Sequence, residues 1–213
     1  MGLANIKVST FAGRKGKTLT CEGCRHPIEK GTRYQWFKVG FRSRHVHAYH
    51  ATCRISDAAR ASGKMATVYS AVEGLREGIY SLPFESGDDA ADLISSIESA
   101  LETAADEWRS VGDEYREAAE ASPTGYVFGV DYNETADTFD SAADSLINWS
   151  PDETEPDYDA CEEEHHADDA EEGVERGSTD CEECMGIAND WVMSIRESVE
   201  SHVDDAMGEI EIG

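Results

Sequence analysis

Residues 21–53 read CEGCRHPIEKGTRYQWFKVGFRSRHVHAYHATC and hold three of the six cysteines and four of the seven histidines of the 213-residue chain. Cys21 and Cys24 are separated by two residues, as are His50 and Cys53, and 25 residues lie between the two pairs. Zinc binds cysteine and histidine tetrahedrally, and two intervening residues let both members of a pair reach one ion. The stretch therefore predicts a closed, structural zinc site made by these four residues.

Three other histidines, His26, His45 and His47, compete for the fourth position. His50 is favoured because its spacing to Cys53 suits a helical turn, whereas His45 and His47 fall on the preceding predicted strand. Packing of these cysteines and histidines without metal is disfavoured, since a domain of about 60 residues with few aliphatic side chains is hard to stabilise by burial alone.

The segment between the pairs predicts two strands. Residues 32–39 (TRYQWFKV) and 41–49 (FRSRHVHAY) are rich in aromatic and β-branched side chains, with a turn near Gly40. Because strand neighbours face opposite sides, we expect one of Trp36 and Phe37 inside and the other outside.

Charge divides the chain into unlike parts. Residues 1–64 contain all six lysines and seven arginines against three acids, a net charge of +10. The remainder has five arginines, 42 acids and a net charge of −37. The first part suits a polyanion and the second would repel one. The acidic excess is typical of a solvated, self-repelling surface or of a protein from a high-salt cytoplasm.

The basic part of the chain predicts DNA binding. Lysine and arginine would neutralise phosphates and release counterions, and an exposed aromatic ring could stack on an unpaired base. No recognition helix with base-reading side chains is evident, so we expect binding that is not sequence-specific. The predicted DNA-binding residues are Arg14, Lys15, Lys17, Arg33, Trp36, Lys38, Arg42 and Arg44.

Residues 6–56 resemble the poly(ADP-ribose) polymerase-type zinc finger. The shared features are a basic lead-in, a CxxC followed by an isoleucine and a charged turn, an arginine-bearing strand, and an aromatic-His-x-x-Cys close. Here they are Lys15, Lys17, Cys21, Cys24, Ile28, Lys30, Gly31, Arg33, Tyr49, His50 and Cys53. The resemblance implies a finger that grips the DNA backbone and recognises breaks. It does not extend to a polymerase, and a lone finger with an acidic helical tail resembles small proteins of bacteriophages and archaeal viruses.

The rest of the chain predicts helices. A stripe formed by Val68, Val72, Leu75 and Ile79 predicts a helix that ends before Pro83. Two heptad seams separated by residues 122–125 predict an antiparallel, coiled-coil-like hairpin. The seam residues are Ile94, Ile97, Leu101, Ala104, Trp108, Val111, Tyr115 and Ala118, then Tyr132, Ala136, Phe139, Ala143 and Leu146.

The C-terminal region predicts a linker, a helix and a second metal site. Residues 150–180 are acidic, with almost no aliphatic side chains, and predict a loosely ordered linker. A further helix, with apolar residues every four positions from Ile187 to Val203, would join the hairpin. Cys161, His165 (or His166), Cys181 and Cys184 could close a second zinc site; alternatively, Cys181 and Cys184 are surface thiols at a helix start.

These patterns predict an α+β protein in which a small zinc-stabilised β finger precedes an acidic α-helical hairpin or bundle. The predicted segments are the finger (1–60), a helix and connector (61–85), the hairpin (86–149), the acidic linker (150–180), and the CxxC knuckle with the last helix (181–213).

We expect a non-enzymatic, zinc-dependent DNA-binding protein that is directed by DNA structure or ends, with helices that contact a protein partner or self-associate. No catalytic residues emerge: GRKGKT fails as a phosphate loop because position 11 is Phe11. The alternative is an adaptor whose finger is purely structural or docks an acidic partner.

The cellular setting is also an expectation from composition. No apolar run approaches the roughly 20 residues of a membrane span, and no signal peptide is evident. A cytoplasmic or nucleoid-associated place, or the host cytoplasm for a viral protein, is predicted. Cysteines stay reduced there, which suits metal ligands.

Overall fold

The computed structural model describes residues 3–11, 18–39, 44–61, 63–85, 88–121, 126–127, 130–161, 177–178 and 181–212. The chain forms two compact units, an N-terminal unit (Met1–Glu73) and a C-terminal unit (Gly74–Gly213). The division falls inside a helix and not at residue 60, where the sequence patterns place the end of the finger.

The N-terminal unit is built from short strands. In chain order it contains β1 (Lys7–Thr10), β2 (Leu19–Thr20), β3 (Pro27–Ile28), β4 (Arg33–Phe37), β5 (His47–His50), the short helix α1 (Asp57–Arg60) and the start of α2 (Lys64–Ser81). Strands β1, β4 and β5 form one antiparallel sheet in that order, and β2 pairs with β3. The edge strand β1 was not predicted, because its residues lie in a basic, turn-rich segment and pair only with the distant β4.

The core of this unit is small and largely aromatic. Its buried residues are Cys21, Ile28, Phe37, Ala48 and Tyr49. Phe37 is 1% exposed and stacks on Tyr49 at 5.9 Å between ring centroids, while its neighbour Trp36 is half-buried. A zinc site would therefore add to a core that has few aliphatic side chains.

The C-terminal unit is helical. It contains the end of α2, α3 (Ala90–Ala121), a small hairpin of β6 (Tyr126–Val127) and β7 (Val130–Asp131), α4 (Tyr132–Ile147), a 3₁₀ helix (Tyr158–Ala160) and α5 (Glu182–Ile212). Small antiparallel sheets followed by helices confirm the α+β class.

Helices α3 and α4 run antiparallel. Arg109 bonds Asp144 at 2.8 Å, and Arg116, two turns later, pairs with Asp137 at 3.4 Å. Phe139 stacks on Tyr115 at 5.7 Å. The predicted hairpin is therefore present in the structure.

The buried stripe of α3 departs from a strict heptad at both ends. Leu93 and Ala119 are buried, whereas Ile94 and Ala118, the seam residues predicted there, are only half-buried. The reason is the helix period. A straight α-helix has 3.6 residues per turn, so over several turns its buried face drifts away from a 3.5-residue pattern.

Part of the predicted linker packs against its surroundings. Pro156 is buried, and Trp191 Nε1 of α5 donates a hydrogen bond to the Glu153 carbonyl at 3.2 Å. Composition alone predicts a loose segment here, but the described residues 150–161 are held by the side chain of a distant helix. Residues 162–176, which include His165, lie outside the described residues.

None of the helices in the described ranges has the length and apolar character that a membrane crossing requires.

Candidate metal centres

The first cysteine cluster lies where two parts of the N-terminal unit meet. Cys21 and Cys24 belong to a tight turn between β2 and β3, which is closed by a hydrogen bond from the Cys21 N–H to the His26 carbonyl at 2.9 Å. His50 is the last residue of β5. Cys53 follows in a turn, and its main-chain N–H donates a hydrogen bond to the His50 carbonyl at 3.1 Å. His50 also pairs with Tyr34 of β4, so the turn that joins it to Cys53 begins at the end of a strand.

The four side chains converge on one point. Their ligand atoms all lie within 4.8 Å of one another. The sulfurs of Cys21 and Cys53 are 3.6 Å apart, and Cys24 Sγ is 3.2 Å from His50 Nδ1. A tetrahedral zinc ion about 2.3 Å from each thiolate would separate the sulfurs by about 3.8 Å. All six cysteines lie in the described ranges and none forms a disulfide.

The orientation of His50 selects it from the four histidines of this region. Its Nε2 lies 3.3 Å from the Pro27 carbonyl, which can only accept a hydrogen bond. Nε2 therefore carries the proton, and Nδ1 is left with a lone pair directed toward Cys24. In metal-binding histidines, the N–H of the second ring nitrogen commonly donates a hydrogen bond to a carbonyl in this way. His45 and His47 instead contact Glu22, and His26 is exposed.

The cluster also favours a thiolate. Burial alone would raise the pKa of Cys21, but hydrogen bonds from the main-chain N–H groups of Cys24 and His50, with contacts to the neighbouring thiols, lower that pKa to about 6. The hydrogen bond with Cys21, followed by burial, raises the pKa of Cys53 to about 11. Cys21 is thus the thiol that ionises most readily, and a divalent cation would release the proton that Cys53 retains.

The second cluster joins the end of the 3₁₀ helix to the start of α5. The sulfurs of Cys161, Cys181 and Cys184 lie within 4.8 Å of one another, with Cys161 and Cys181 at 3.6 Å. All three residues are buried, so the alternative of surface thiols at Cys181 and Cys184 is wrong. The cluster brings in Cys161 from 20 residues away, and Tyr158 and Ile187 pack against it.

Main-chain N–H groups at and near the start of α5 point at these sulfurs. Cys181 precedes the first helical residue, and its sulfur accepts the N–H of Cys184 at 3.3 Å, as a capping side chain does. The N–H of Gly177 donates to Cys184 Sγ at 3.4 Å. Cys161 Sγ also lies 3.2 Å from Glu183 Oε2, so the first turn of α5 brings a carboxylate to the same cluster. Both cysteine clusters can therefore hold a metal ion, and their donor atoms suit zinc.

The predicted DNA-binding residues are only partly described. Lys38 directly follows β4 and Arg44 shortly precedes β5; since Phe37 pairs with His47, both lie toward the same end of the β4–β5 ladder. Arg33 lies at the other end, opposite Thr10. All three side chains are exposed. Arg14, Lys15, Lys17 and Arg42 lie outside the described residues.

Lys7 is a basic residue that sequence reasoning missed. It pairs with Trp36 across β1 and β4, and its Nζ lies 5.1 Å from the centroid of the Trp36 ring. Trp36 Nε1 donates to the Ser9 hydroxyl at 2.9 Å, which fixes the indole. Only the pairing of β1 with β4 reveals this contact, since Lys7 and Trp36 are 29 positions apart in the sequence.

Comparisons of the chain with models of known protein families, with curated proteins and with solved structures find no match. The cysteine clusters and the exposed basic residues of the N-terminal unit are thus the features from which a function can be inferred.

Proposed function

We propose that this chain is a zinc-dependent DNA-binding protein whose N-terminal unit is a finger resembling the poly(ADP-ribose) polymerase type. The supporting observation is the convergence of Cys21, Cys24, His50 and Cys53 within a basic part of the chain. The acidic helical unit is the part that contacts a protein partner or a second copy of the chain.

The first zinc ion is structural. Three thiolates and one imidazole fill a tetrahedral shell, so no position remains for a substrate or an activated water. The protonated Nε2 of His50, held by the Pro27 carbonyl, is the outer contact that such a site requires. A closed shell supports a binding protein and not a hydrolytic enzyme.

A second zinc ion binds Cys161, Cys181 and Cys184. The sequence offers His165 or His166 as the fourth ligand, and both lie outside the described residues. This ion joins the segment before α5 to the α5 N-terminus, where main-chain N–H groups already contact the sulfurs of Cys181 and Cys184. Its role is to hold the acidic segment against the helix.

The glycine beside the second cluster provides a test of that site. Gly177 has φ of +83°, and a Cβ there would lie 3.0 Å from Tyr158 Cε2. Gly177→Ala is expected to cost at least about 1–2 kcal/mol, which is about tenfold in a binding constant. The measurement is zinc affinity by competition with a chromophoric chelator. Gly186→Ala in α5 is the control, because a Cβ there meets nothing within 4 Å. Wild-type affinity in Gly177→Ala would contradict the site.

DNA contact is assigned to the exposed cations of the N-terminal unit. Lys38 and Arg44 lie toward one end of the ladder, and Lys7 with Trp36 offers a cation beside a half-buried ring. Phosphate neutralisation supplies most of the affinity, and stacking on an unpaired base would add about 1–3 kcal/mol. Preference for nicks or ends comes from the family resemblance.

The test of DNA binding uses the full-length, zinc-loaded protein. We expect nicked and blunt-ended DNA to be retained more tightly than closed circular DNA at fixed salt. A plot of the logarithm of the DNA association constant against the logarithm of the salt concentration has a negative slope. The double variant Lys38→Ala/Arg44→Ala should make this slope less negative by about 1.8, or about 0.9 for each lost phosphate contact. Arg54→Ala, an exposed cation outside the predicted set, is the control.

Each outcome separates the alternatives. Equal retention of the three DNA forms would remove recognition of breaks. A slope unchanged by the double variant would remove Lys38 and Arg44 from the interface. A protein that ignores all three DNA forms would favour the adaptor, whose basic unit docks an acidic protein surface.

A further inference from the structure

A third group of metal-ligating side chains lies beside the first cysteine cluster and shares no ligand with it. Glu22 Oε1 is 3.1 Å from His45 Nε2, and Glu22 Oε2 is 2.8 Å from His47 Nδ1. One atom from each residue lies within 4.8 Å of the others. The carboxylate and two imidazoles come from separate segments, the CxxC turn and the strand β5 with its lead-in.

The backbone holds these residues in place before any ligand arrives. The Glu22 N–H donates to the Ala48 carbonyl at 2.9 Å, which ties the CxxC turn to β5. The His47 ring stacks on the buried Phe37 at 4.9 Å between centroids and 8° between planes. A fixed ring and a fixed main chain lower the entropy cost of bringing the donors together.

We propose that Glu22, His45 and His47 form a second, open metal site in the N-terminal unit, for a borderline divalent ion such as Zn²⁺, Co²⁺ or Ni²⁺. A set of two imidazoles and one carboxylate binds such borderline ions in preference to hard ions such as Mg²⁺. Three protein ligands leave at least one coordination position for water or an exchangeable ligand.

The three side chains are near enough to share one ion. Donors about 2.0–2.1 Å from a tetrahedral ion are separated by about 3.3 Å. The two observed oxygen–nitrogen distances, 3.1 and 2.8 Å, run to the two different oxygens of Glu22, and one atom from each residue lies within 4.8 Å of the others, so a bound ion would draw the donors together from this range. The imidazoles of His45 and His47 meet edge to face at 4.5 Å between centroids, so both rings stand beside the same carboxylate.

A metal ion at the new site is expected to be released more readily than one at the cysteine site. The His45 side chain is 67% exposed and that of Glu22 29% exposed; in the cysteine cluster Cys21 is fully buried, while Cys24 is exposed. The number and kind of ligands make the difference, because an ion held by two imidazoles and one carboxylate keeps an open position and has no thiolate ligand. Such an ion exchanges with solvent and is removed by a chelator that leaves the four-ligand cysteine site loaded.

Titration of the 213-residue chain with Co²⁺ tests the proposal, after a chelator has cleared the exposed site and left zinc on the cysteine cluster. Excess Mg²⁺ in the buffer occupies the many surface carboxylates, and calorimetry measures the Co²⁺ that still binds. We expect one equivalent whose absorption lacks a thiolate-to-cobalt charge-transfer band, since no sulfur is a ligand. His45→Ala and Glu22→Gln should each weaken this binding by at least about tenfold, as even the loss of an outer-shell partner does.

His26→Ala is the matched control, because His26 is an exposed histidine of the same unit outside the cluster. It should leave Co²⁺ binding unchanged. His45 is the preferred position for substitution because it is highly exposed, and retained zinc shows that the variant remains folded. No binding by the wild-type protein, or equal binding by His45→Ala, Glu22→Gln and His26→Ala, would show that these residues form hydrogen bonds only and would overturn the proposal.

Discussion

Replacement of Cys21 by serine is expected to remove one equivalent of zinc and to unfold the N-terminal unit. Cys21 is fully buried, and its sulfur accepts the His50 N–H at 3.3 Å as well as meeting the other ligands. A structural zinc ion contributes about 10–16 kcal/mol in small zinc-dependent domains, which exceeds or matches the roughly 5–15 kcal/mol by which whole domains are stable. The core of this unit is too small to replace that contribution.

Elemental analysis of zinc and the dispersion of amide NMR signals measure the two effects together. Cys181→Ser is the matched control, since it should remove the other equivalent and leave the signals of the N-terminal unit dispersed. Wild-type zinc content in Cys21→Ser would contradict the first site, and an unchanged content in Cys181→Ser would contradict the second.

The second large effect is expected from Trp108→Ala in α3. Trp108 is 0% exposed and is the largest fully buried side chain of the described chain. Truncation of a buried tryptophan costs about 3–5 kcal/mol, because both transfer free energy and packing around the cavity are lost. The measurement is the urea dependence of far-ultraviolet circular dichroism, which reports mainly on the helices of the C-terminal unit.

Trp108→Phe separates cavity formation from the chemistry of the indole. Trp108 Nε1 is buried and has no hydrogen-bond partner among the described residues. Phenylalanine keeps most of the apolar contact and removes this unpaired donor, whose burial carries a penalty. The loss should therefore be clearly smaller than for alanine. Equal losses in both variants would place the stabilising role in the indole N–H instead of in its packing.

The helices are the elements that the sequence predicted most closely. The stripe from Val68 to Ile79 lies on α2, and this helix ends at Ser81, just before Pro83. Helical periodicity is a local property, because residues three and four apart share a face whatever the rest of the chain does. The ends of the α3 seam were less accurate, since the heptad and the 3.6-residue turn diverge with length.

The strands were harder to predict. Strand β1 carries no strong periodic signal, and its place is decided by pairing with β4 at the register Lys7 to Trp36. The contact of Lys7 with the indole follows from that register alone. Tertiary packing likewise brings the segment before α5, which composition describes as a loose linker, under Trp191.

The two CxxC pairs are determined by spacing, because two intervening residues place both sulfurs on one turn wherever that turn lies. Spacing to Cys53 also favours His50 as the fourth member of the first set, and the structure adds the orientation: His50 turns Nδ1 to Cys24 and Nε2 to Pro27, while His45 and His47 contact Glu22. Tertiary packing also brings the sulfur of Cys161 to within 3.6 Å of the sulfur of Cys181, which is 20 positions away in the sequence. Short spacings constrain geometry through the covalent chain, whereas distant partners meet only through strand register and packing, which no local pattern encodes.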